Sequence, residues 1–257
     1  MLGRVSTLNV MSLNLRYASA VEPNSWPARR PVMAQLLLQE LPALLGTQEG
    51  LYGQISDIAH DLPDHYDWIG LGRLGGSHDE FMAVFFDTHR LEPLEFDHEW
   101  LSDTPKVVGS RSWGNNVVRM VTWVRFADRL TGKQFVAVNT HFDHESANAR
   151  LRGAEVVRDR LQAQTLPVVL TGDFNDVPGS PAHTTLTAGL ADTWLTGPRT
   201  TPAYGTFHGF GPLVPDGPRI DWILTRGATV EAAAINTFQR NGQFPTDHLP
   251  VQASISF

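Results

Sequence analysis

Pro167-Val-Val-Leu-Thr-Gly-Asp-Phe-Asn-Asp176 is the stretch on which the reading of this chain turns. Val168 to Thr171 are four apolar or β-branched residues, the pattern of a short buried strand. Gly172 frees the backbone, and Asp173 and Asn175 follow with Phe174 between them. Residues two apart on an extended segment project to the same side, which places Asp173 and Asn175 together and Phe174 opposite. A carboxylate and an amide aimed together from a strand end can hold a water and a phosphate. The carboxylate accepts a proton and the amide donates to an oxyanion. The same residue types also suit a plain turn after a strand, which Asp176, Pro178 and Gly179 punctuate. The rest of the chain changes the balance between these accounts.

A chain of 257 residues suits one domain, and 42% hydrophobic with 18% charged residues is the composition of a soluble globular protein. With no cysteine, disulfides, zinc–thiolate sites and thiol nucleophiles are excluded. No apolar run approaches the roughly 20 residues of a membrane span. Met1 to Tyr17 alternates like a strand and lacks the apolar core of a signal peptide. A cytoplasmic protein without membrane attachment is expected. The net charge is −7, and Lys106 and Lys133 are the only lysines. That balance disfavours non-specific binding to duplex nucleic acid, which rests on a basic surface, although metal ions can offset local negative charge at a site.

In chain order, Val5 to Tyr17 reads as a strand, followed by a helix from about Ala28 with Met33, Leu36, Leu37 and Leu41 on its apolar stripe. Ala43 to Thr47 is a short strand, Leu51 to Leu62 a helix, Tyr66 to Leu71 and Glu80 to Asp87 strands. Leu91 to Leu101 continues the same sheet, and Ser102 to Asn116 is a long loop, a candidate cleft rim. Val117 to Phe126 and Gln134 to Phe142 pair across a turn, and Ser146 to Gln164 is a helix. Arg219 to Thr225 is a strand with Thr229 to Phe238 as its hairpin partner, and Val251 to Phe257 closes the chain. Helices alternating with strands, together with hairpins, fit an α/β fold. Its helices cover the outside of two packed, mostly antiparallel sheets in a single domain over 1–257.

Asn14, Glu49, His141, Asp173, Asn175, Asp221, Asp247 and His248 share one property: each lies in or just beyond an otherwise apolar strand, or beside a turn. Singly, each has a structural account; Asp221, for example, could pair with Arg219, and His141 could be a satisfied core histidine. Jointly they fit one carboxylate-rich pocket with two histidines. Hard oxygen ligands and imidazoles without thiols are what Mg²⁺- or Mn²⁺-assisted phosphoester hydrolysis needs.

The chain resembles the endonuclease/exonuclease/phosphatase superfamily, which includes deoxyribonuclease I, apurinic endonucleases, inositol polyphosphate 5-phosphatases and bacterial sphingomyelinases. The resemblance is carried by Met11-Ser-Leu-Asn-Leu-Arg16, Thr47-Gln-Glu49, Asn139-Thr-His141, Thr171-Gly-Asp-Phe-Asn175, Arg219-Ile-Asp-Trp-Ile223 and Thr246-Asp-His-Leu-Pro250, in the family's order and spanning nearly the whole chain. Trp100-Leu-Ser, Thr140-His-Phe-Asp-His144 and Gly205-Thr-Phe-His-Gly209 resemble a bacterial branch. The resemblance implies a four-layer α/β sandwich with the site at one edge of the two sheets. It implies Glu49 as the main metal ligand, with Asn14 and Asp247 near the ion or phosphate. Asp173 would activate the attacking water, Asn175 would orient it, and His141 would donate to the phosphate or assist the leaving oxygen. His248, held by Asp221, would contact a phosphate oxygen.

Arg16, Arg119 and Glu80 are further candidates for substrate contact, Arg119 because it falls in an apolar strand just after the long loop. Asp143 and His144 suit either a metal or substrate contact or a helix-capping turn. Trp113, Phe207 and Phe210 suit stacking on a ring or pinning of loops. The expected activity is metal-dependent hydrolysis of a small or modest-sized phosphate ester. The alternatives are a nuclease using the same residues and a catalytically silent binder of a phosphorylated ligand or a protein.

Overall fold

The computed structural model describes residues 7–257, so the part of the opening alternation carried by 1–6, Val5 included, lies outside the described residues. In chain order the elements are β1 (Leu8–Asn14), α1 (Trp26–Glu40), β2 (Leu44–Gln48), α2 (Tyr52–Asp61), β3 (Tyr66–Ile69), β4 (Val84–Asp87), β5 (Leu91–Trp100) and β6 (Met120–Asp128). They continue with β7 (Gln134–His141), α3 (Ala147–Gln162), β8 (Val168–Asp173), α4 (Pro181–Thr187), β9 (Ala191–Asp192), α5 (Thr193–Thr196), β10 (Asp221–Arg226), β11 (Thr229–Ile235) and β12 (Val251–Ser256). Helix α1 begins two residues before Ala28, because the Ser25 hydroxyl accepts from the Ala28 N–H and Pro27 fits the first turn. Ser146 caps α3 in the same way. Among the described residues no helix is long and apolar enough to cross a membrane.

The strands form two six-stranded sheets, ordered β11-β12-β1-β2-β4-β3 and β5-β6-β7-β8-β10-β9. Each has one parallel pair at its centre, β1 with β2 and β7 with β8; the other neighbours are antiparallel. The parallel pairs follow from their connections, since a crossover through a helix returns the chain in the same direction and leaves that helix on the sheet. Accordingly α1 and α2 pack Met33, Leu36, Leu37, Ile55 and Ile58 on Met11, Leu13 and Leu45 of the first sheet. Ala154, Val157 and Leu161 of α3, with Ala182 and Leu186 of α4, cover Val138, Leu170, Trp222 and Leu224 of the second. The inner faces meet through Leu8, Val10, Leu44, Phe86, Phe126, Phe135, Ala137, Val169 and Ile223. Helix, sheet, sheet and helix make the four-layer sandwich.

Two pairings differ from expectation. Strand β5 does not continue the sheet of β4 but opens the second sheet, paired with β6. Strand β11 is no hairpin partner of β10: β10 pairs with β8 and β9, while β11 pairs with β12 in the other sheet. Alternation in sequence tells which face of a strand is buried, and in a sandwich both sheets bury a face in the same core. It therefore leaves the choice of sheet undetermined. Strand β6 also starts later than expected, so Arg119 sits immediately before it rather than within it.

The period of two carries the inner faces from apolar to polar residues along each strand. In β1 the inner positions run Leu8, Val10, Ser12, Asn14; in β7, Phe135, Ala137, Asn139, His141; in β8, Val169, Thr171, Asp173. Where the polar part begins, Asn139 Nδ2 donates to the Thr47 carbonyl at 2.7 Å and the Ala83 carbonyl at 3.0 Å, both in the opposite sheet. Its Oδ1 accepts from Gln48 Nε2 at 2.7 Å and Thr171 Oγ1 at 3.1 Å. The sheets approach so closely here that a Cβ on Gly46 would stand 2.1 Å from Thr171 Oγ1. Asn139→Ala removes a donor from the Thr47 and Ala83 carbonyls and the shortest acceptor of the Gln48 amide, and is expected to cost about 2 kcal/mol of unfolding free energy in urea titrations.

Candidate active site

The polar ends of five strands and two loops converge at one edge of the sandwich. Register brings three of them side by side, since His141 pairs with Asp173 across β7 and β8 and Asp173 with Asp221 across β8 and β10. Asn14, at the end of β1 in the facing sheet, donates from Nδ2 to Asp173 Oδ2 and to Glu49 Oε1, both at 2.9 Å. One amide thus ties a carboxylate of each sheet together. Glu49 itself lies just past β2 with a φ of 63°, and Asn175 lies just past β8 with a φ of 50°. The left-handed region is uncommon for a residue other than glycine and recurs at functional sites. Asn175 therefore reaches the site through a left-handed turn and not by continued strand alternation, and its N–H donates to Asp173 Oδ1 at 2.9 Å.

His248 Nδ1 lies 3.0 Å from Asp221 Oδ2, and its Nε2 lies 3.8 Å from Asp173 Oδ2. Burial by itself would lower the pKa of this imidazole. The charge and hydrogen bond of Asp221, then the charges of Asp173 and Asp247, outweigh burial and raise it to about 10. At neutral pH His248 is an imidazolium presenting Nε2–H to the site. Burial, with the Asp221 charge adding, pushes the Asp173 carboxyl up to about 7, against the pull of His248, Asn14 and the Asn175 N–H. His141 is held neutral, well below its ordinary value, by burial and then by Arg119 and His248. Asn175 Nδ2 lies 3.0 Å from His141 Nε2 and donates to the Phe142 carbonyl at 3.0 Å. His141 Nε2 also lies 3.4 Å from Asp173 Oδ2, while its Nδ1 has no hydrogen-bond partner. In this arrangement His141 Nε2 is not a free donor.

Ligand atoms of Glu49, Asp173 and His248 all lie within 4.8 Å of one another. Protonated His248 offers no lone pair, which leaves carboxylate oxygens with the Asn14 amide between them. The donor set fits a hard divalent cation: oxygen-rich, acidic and free of sulfur. Asp247, expected beside the ion, is instead bound to Arg16, whose Nη1 stands 2.5 Å from its Oδ2. Arg16 has a φ of 49° and its guanidinium stacks over Tyr17 and Phe210. Two residues expected to meet ion and phosphate thus neutralise each other, because the left-handed turn after β1 aims Arg16 at the segment preceding β12. Buried Arg29, unnoticed in the sequence, fixes that same junction by donating to the carbonyls of Leu15, Arg16 and Pro245.

A cleft of about 430 Å³ opens over Glu49, Asp173, Asn175, His141 and His248 and extends along Arg73, Glu80, Arg119 and His144, with Tyr17 and Phe207 at its walls. Arg119 and Glu80 thus lie where substrate contact was expected. Asp143 caps instead, its Oδ1 accepting from the N–H groups of Glu145 and Ser146. Trp113 is bonded to Asp103 and packs partly against the core, the loop-pinning role. Arg219 does not pair with Asp221; it binds Asp192 at 2.6 Å, beside His183. Arg73 carried no signal beyond a glycine-rich loop.

Replacing Asp221 by Asn removes both the charge and the anionic hydrogen bond that hold the proton on His248. Followed by NMR in chelator, His248 is expected to release its proton near pH 10 in the wild type. In Asp221→Asn the strongest raising influences are gone, Asp173 and Asp247 alone stand against burial, and the midpoint falls well below 10. Because the folded-state pKa is raised, the stabilisation from this pair is complete below about pH 6.5 and is lost as pH rises through about 10.

No curated protein sequence matches the chain. Among solved structures, an endonuclease/exonuclease/phosphatase from Bacteroides vulgatus is 31% identical over 98% of this chain and 99% of its own, with a TM-score of 0.92. A mannosyl-6-phosphatase of Bacteroides thetaiotaomicron is 31% identical over 97% of this chain and all of its own, with a TM-score of 0.90. D. rerio TDP2 in complex with a single-strand DNA product shares the fold at 14% identity, a TM-score of 0.78 and coverage of 98% of this chain and 100% of its own. The sequence model of the endonuclease/exonuclease/phosphatase family matches residues 7–248, and the chain belongs to that family, with its deoxyribonuclease I-like fold.

Proposed function

We propose that this protein is a divalent-metal-dependent phosphoesterase acting on a small phosphate ester. The observation that carries the reading is His248 set between two carboxyls at the cleft, Nε2 3.8 Å from Asp173 Oδ2 and Nδ1 3.0 Å from Asp221 Oδ2. Asp173 accepts the proton of an attacking water; burial raises its basicity toward neutral pH, where a general base works best. The carbonyl oxygen of Asn175, left free by the two bonds its Nδ2 makes, orients that water. His248 Nε2–H meets a phosphoryl oxygen and stabilises the negative charge that builds in the transition state. Asp221 acts through His248 by holding its proton and ring orientation.

Glu49, with Asn14 beside it, would hold Mg²⁺ or Mn²⁺, which would supply charge neutralisation at the phosphoryl group and the leaving oxygen. The small substrate is supported by two features. A relative 31% identical over 97% of this chain is a mannosyl-6-phosphatase. The net charge of −7 and the presence of only two lysines give little attraction for a long polyanion. Nuclease action with the same residues is the second reading, favoured by exposed Phe207 beside His248, a platform on which a base could stack.

Purified protein with Mg²⁺ or Mn²⁺ is expected to hydrolyse p-nitrophenyl phosphate, and chelator or Asp173→Asn is expected to stop it while the circular dichroism spectrum is preserved. An active Asp173→Asn variant would remove Asp173 as the base. Glu49→Gln is expected to weaken Mg²⁺ binding measured by calorimetry, and unchanged affinity would take it off the ligand list. His248→Ala is expected to lower kcat by about 10²-fold, the loss of one transition-state donor. Nicking of supercoiled DNA that vanishes with Asp173→Asn would instead favour the nuclease.

A further inference from the structure

Outside the reacting centre the cleft carries a second polar group of residues that the hydrolytic chemistry does not use. Arg119 is only 3% exposed and lines the cleft, yet no carboxylate is bonded to it. Its Nη2 meets His144 Nδ1 at 3.0 Å, and its Nε and Nη1 have no hydrogen-bond partner. A buried guanidinium with donors unspent is costly unless a ligand or water completes them. Among the charges acting on its guanidinium are Glu80, Arg73, Asp173 and Asp143. Glu80 presents the complementary chemistry: Oε2 accepts from Arg73 Nη1 at 2.7 Å, while Oε1 has no hydrogen bond among the described residues. Phe207, 54% exposed, supplies an apolar face at the cleft wall.

The charge of this wall decides between two kinds of ligand. Arg73 is already neutralised by Glu80 and by Asp79 at 3.0 Å, and Glu49 stands nearby. With Arg73 offset by Glu80 and Asp79, the wall holds no surplus of positive charge for a second phosphate beyond Arg119. Neutral hydroxyls need no such surplus, and each can donate to a carboxylate oxygen while accepting from a guanidinium N–H. A ring with hydroxyls on its edge and C–H groups on its face matches donor, acceptor and aromatic platform together.

We propose that Arg119 and Glu80 form a hydroxyl-reading subsite, which makes the substrate the phosphate monoester of a polyhydroxylated alcohol such as a hexose. The assignment rests on the phosphoesterase reading above and extends it to the alcohol portion of the ester. His144 is a positioning residue that orients the Arg119 guanidinium.

The test measures kcat/KM with Mg²⁺ on mannose 6-phosphate and on p-nitrophenyl phosphate, which lacks hydroxyls, for wild type, Glu80→Gln and Arg119→Lys. Both variants keep side-chain size and polarity, and circular dichroism and thermal melts check their folding. The expected result is a loss on mannose 6-phosphate at least tenfold larger than the loss on p-nitrophenyl phosphate, and carried mainly by KM. Equal losses on the two substrates, or none, overturn the subsite. So does wild-type activity on p-nitrophenyl phosphate and single-stranded oligonucleotides with none on mannose 6-phosphate, which leaves the phosphoesterase reading intact. If no ester is hydrolysed, that broader reading fails, and the subsite is judged by calorimetry with mannose 6-phosphate. Binding by wild type that weakens tenfold or more in Glu80→Gln and Arg119→Lys sustains it, and binding that is absent or unchanged in the variants overturns it.

Discussion

The side-chain amide of Asn139 spans the gap between the two sheets, and the geometry of the cleft depends on it. Its two N–H groups go to carbonyls of the first sheet, and its oxygen receives Gln48 from that sheet and Thr171 from its own. A fully satisfied buried amide is directional where an apolar contact is not, so it fixes the relative register of two sheets that could otherwise slide over a greasy interface. The close approach at Gly46 has the same consequence. One further step along the strands stand Asn14 and Asp173, whose 2.9 Å bond also crosses between the sheets. The reacting groups thus hang from a rigid seam and not from loops.

On that seam the chain places charges that burial alone would not tolerate. Asp173 and Asp221 are neighbours in the ladder and repel, yet His248 lies against both. The imidazolium is stabilised by two carboxylates at once, and the carboxylates are stabilised by it. Against burial, Asp221, Asp173 and Asp247 raise His248 to about 10, while burial and the Asp221 charge raise Asp173 to about 7 in the same small volume. A divided set of charge states of this kind is what separates a base from an oxyanion donor in a hydrolytic site.

The arginines divide into structural and available groups. Arg29 is consumed by backbone carbonyls, Arg16 by Asp247, Arg219 by Asp192, and Arg73 by Glu80 and Asp79. Arg119 lines the cleft with no carboxylate bonded to it, and its Nε and Nη1 have no hydrogen-bond partner. The fold therefore shapes specificity less by how many cations surround the cleft than by which of them has been left without a carboxylate.

Sequence alone determined the strands, the helices, and the residues that would be polar at strand ends. Period two relates faces within a strand, so Asn14 could be set apart from Leu13 and Leu15, and His141 placed on one face with Asn139, before any contact was known. It could not tell which sheet a strand joins, because both sheets bury into one core; β5 and β11 went to the sheet opposite the one their neighbours suggested. Nor could it foresee the left-handed turns at Arg16, Glu49 and Asn175, which are set by closure of the loops around the site and not by residue type. Those turns sent Arg16 to Asp247 and brought Asn175 onto His141. Pairing between side chains 34 to 231 residues apart is a property of the packed chain. Only the tertiary structure could decide it, since the energy of such a bond depends on distance, direction and the exclusion of water, none of which is written locally.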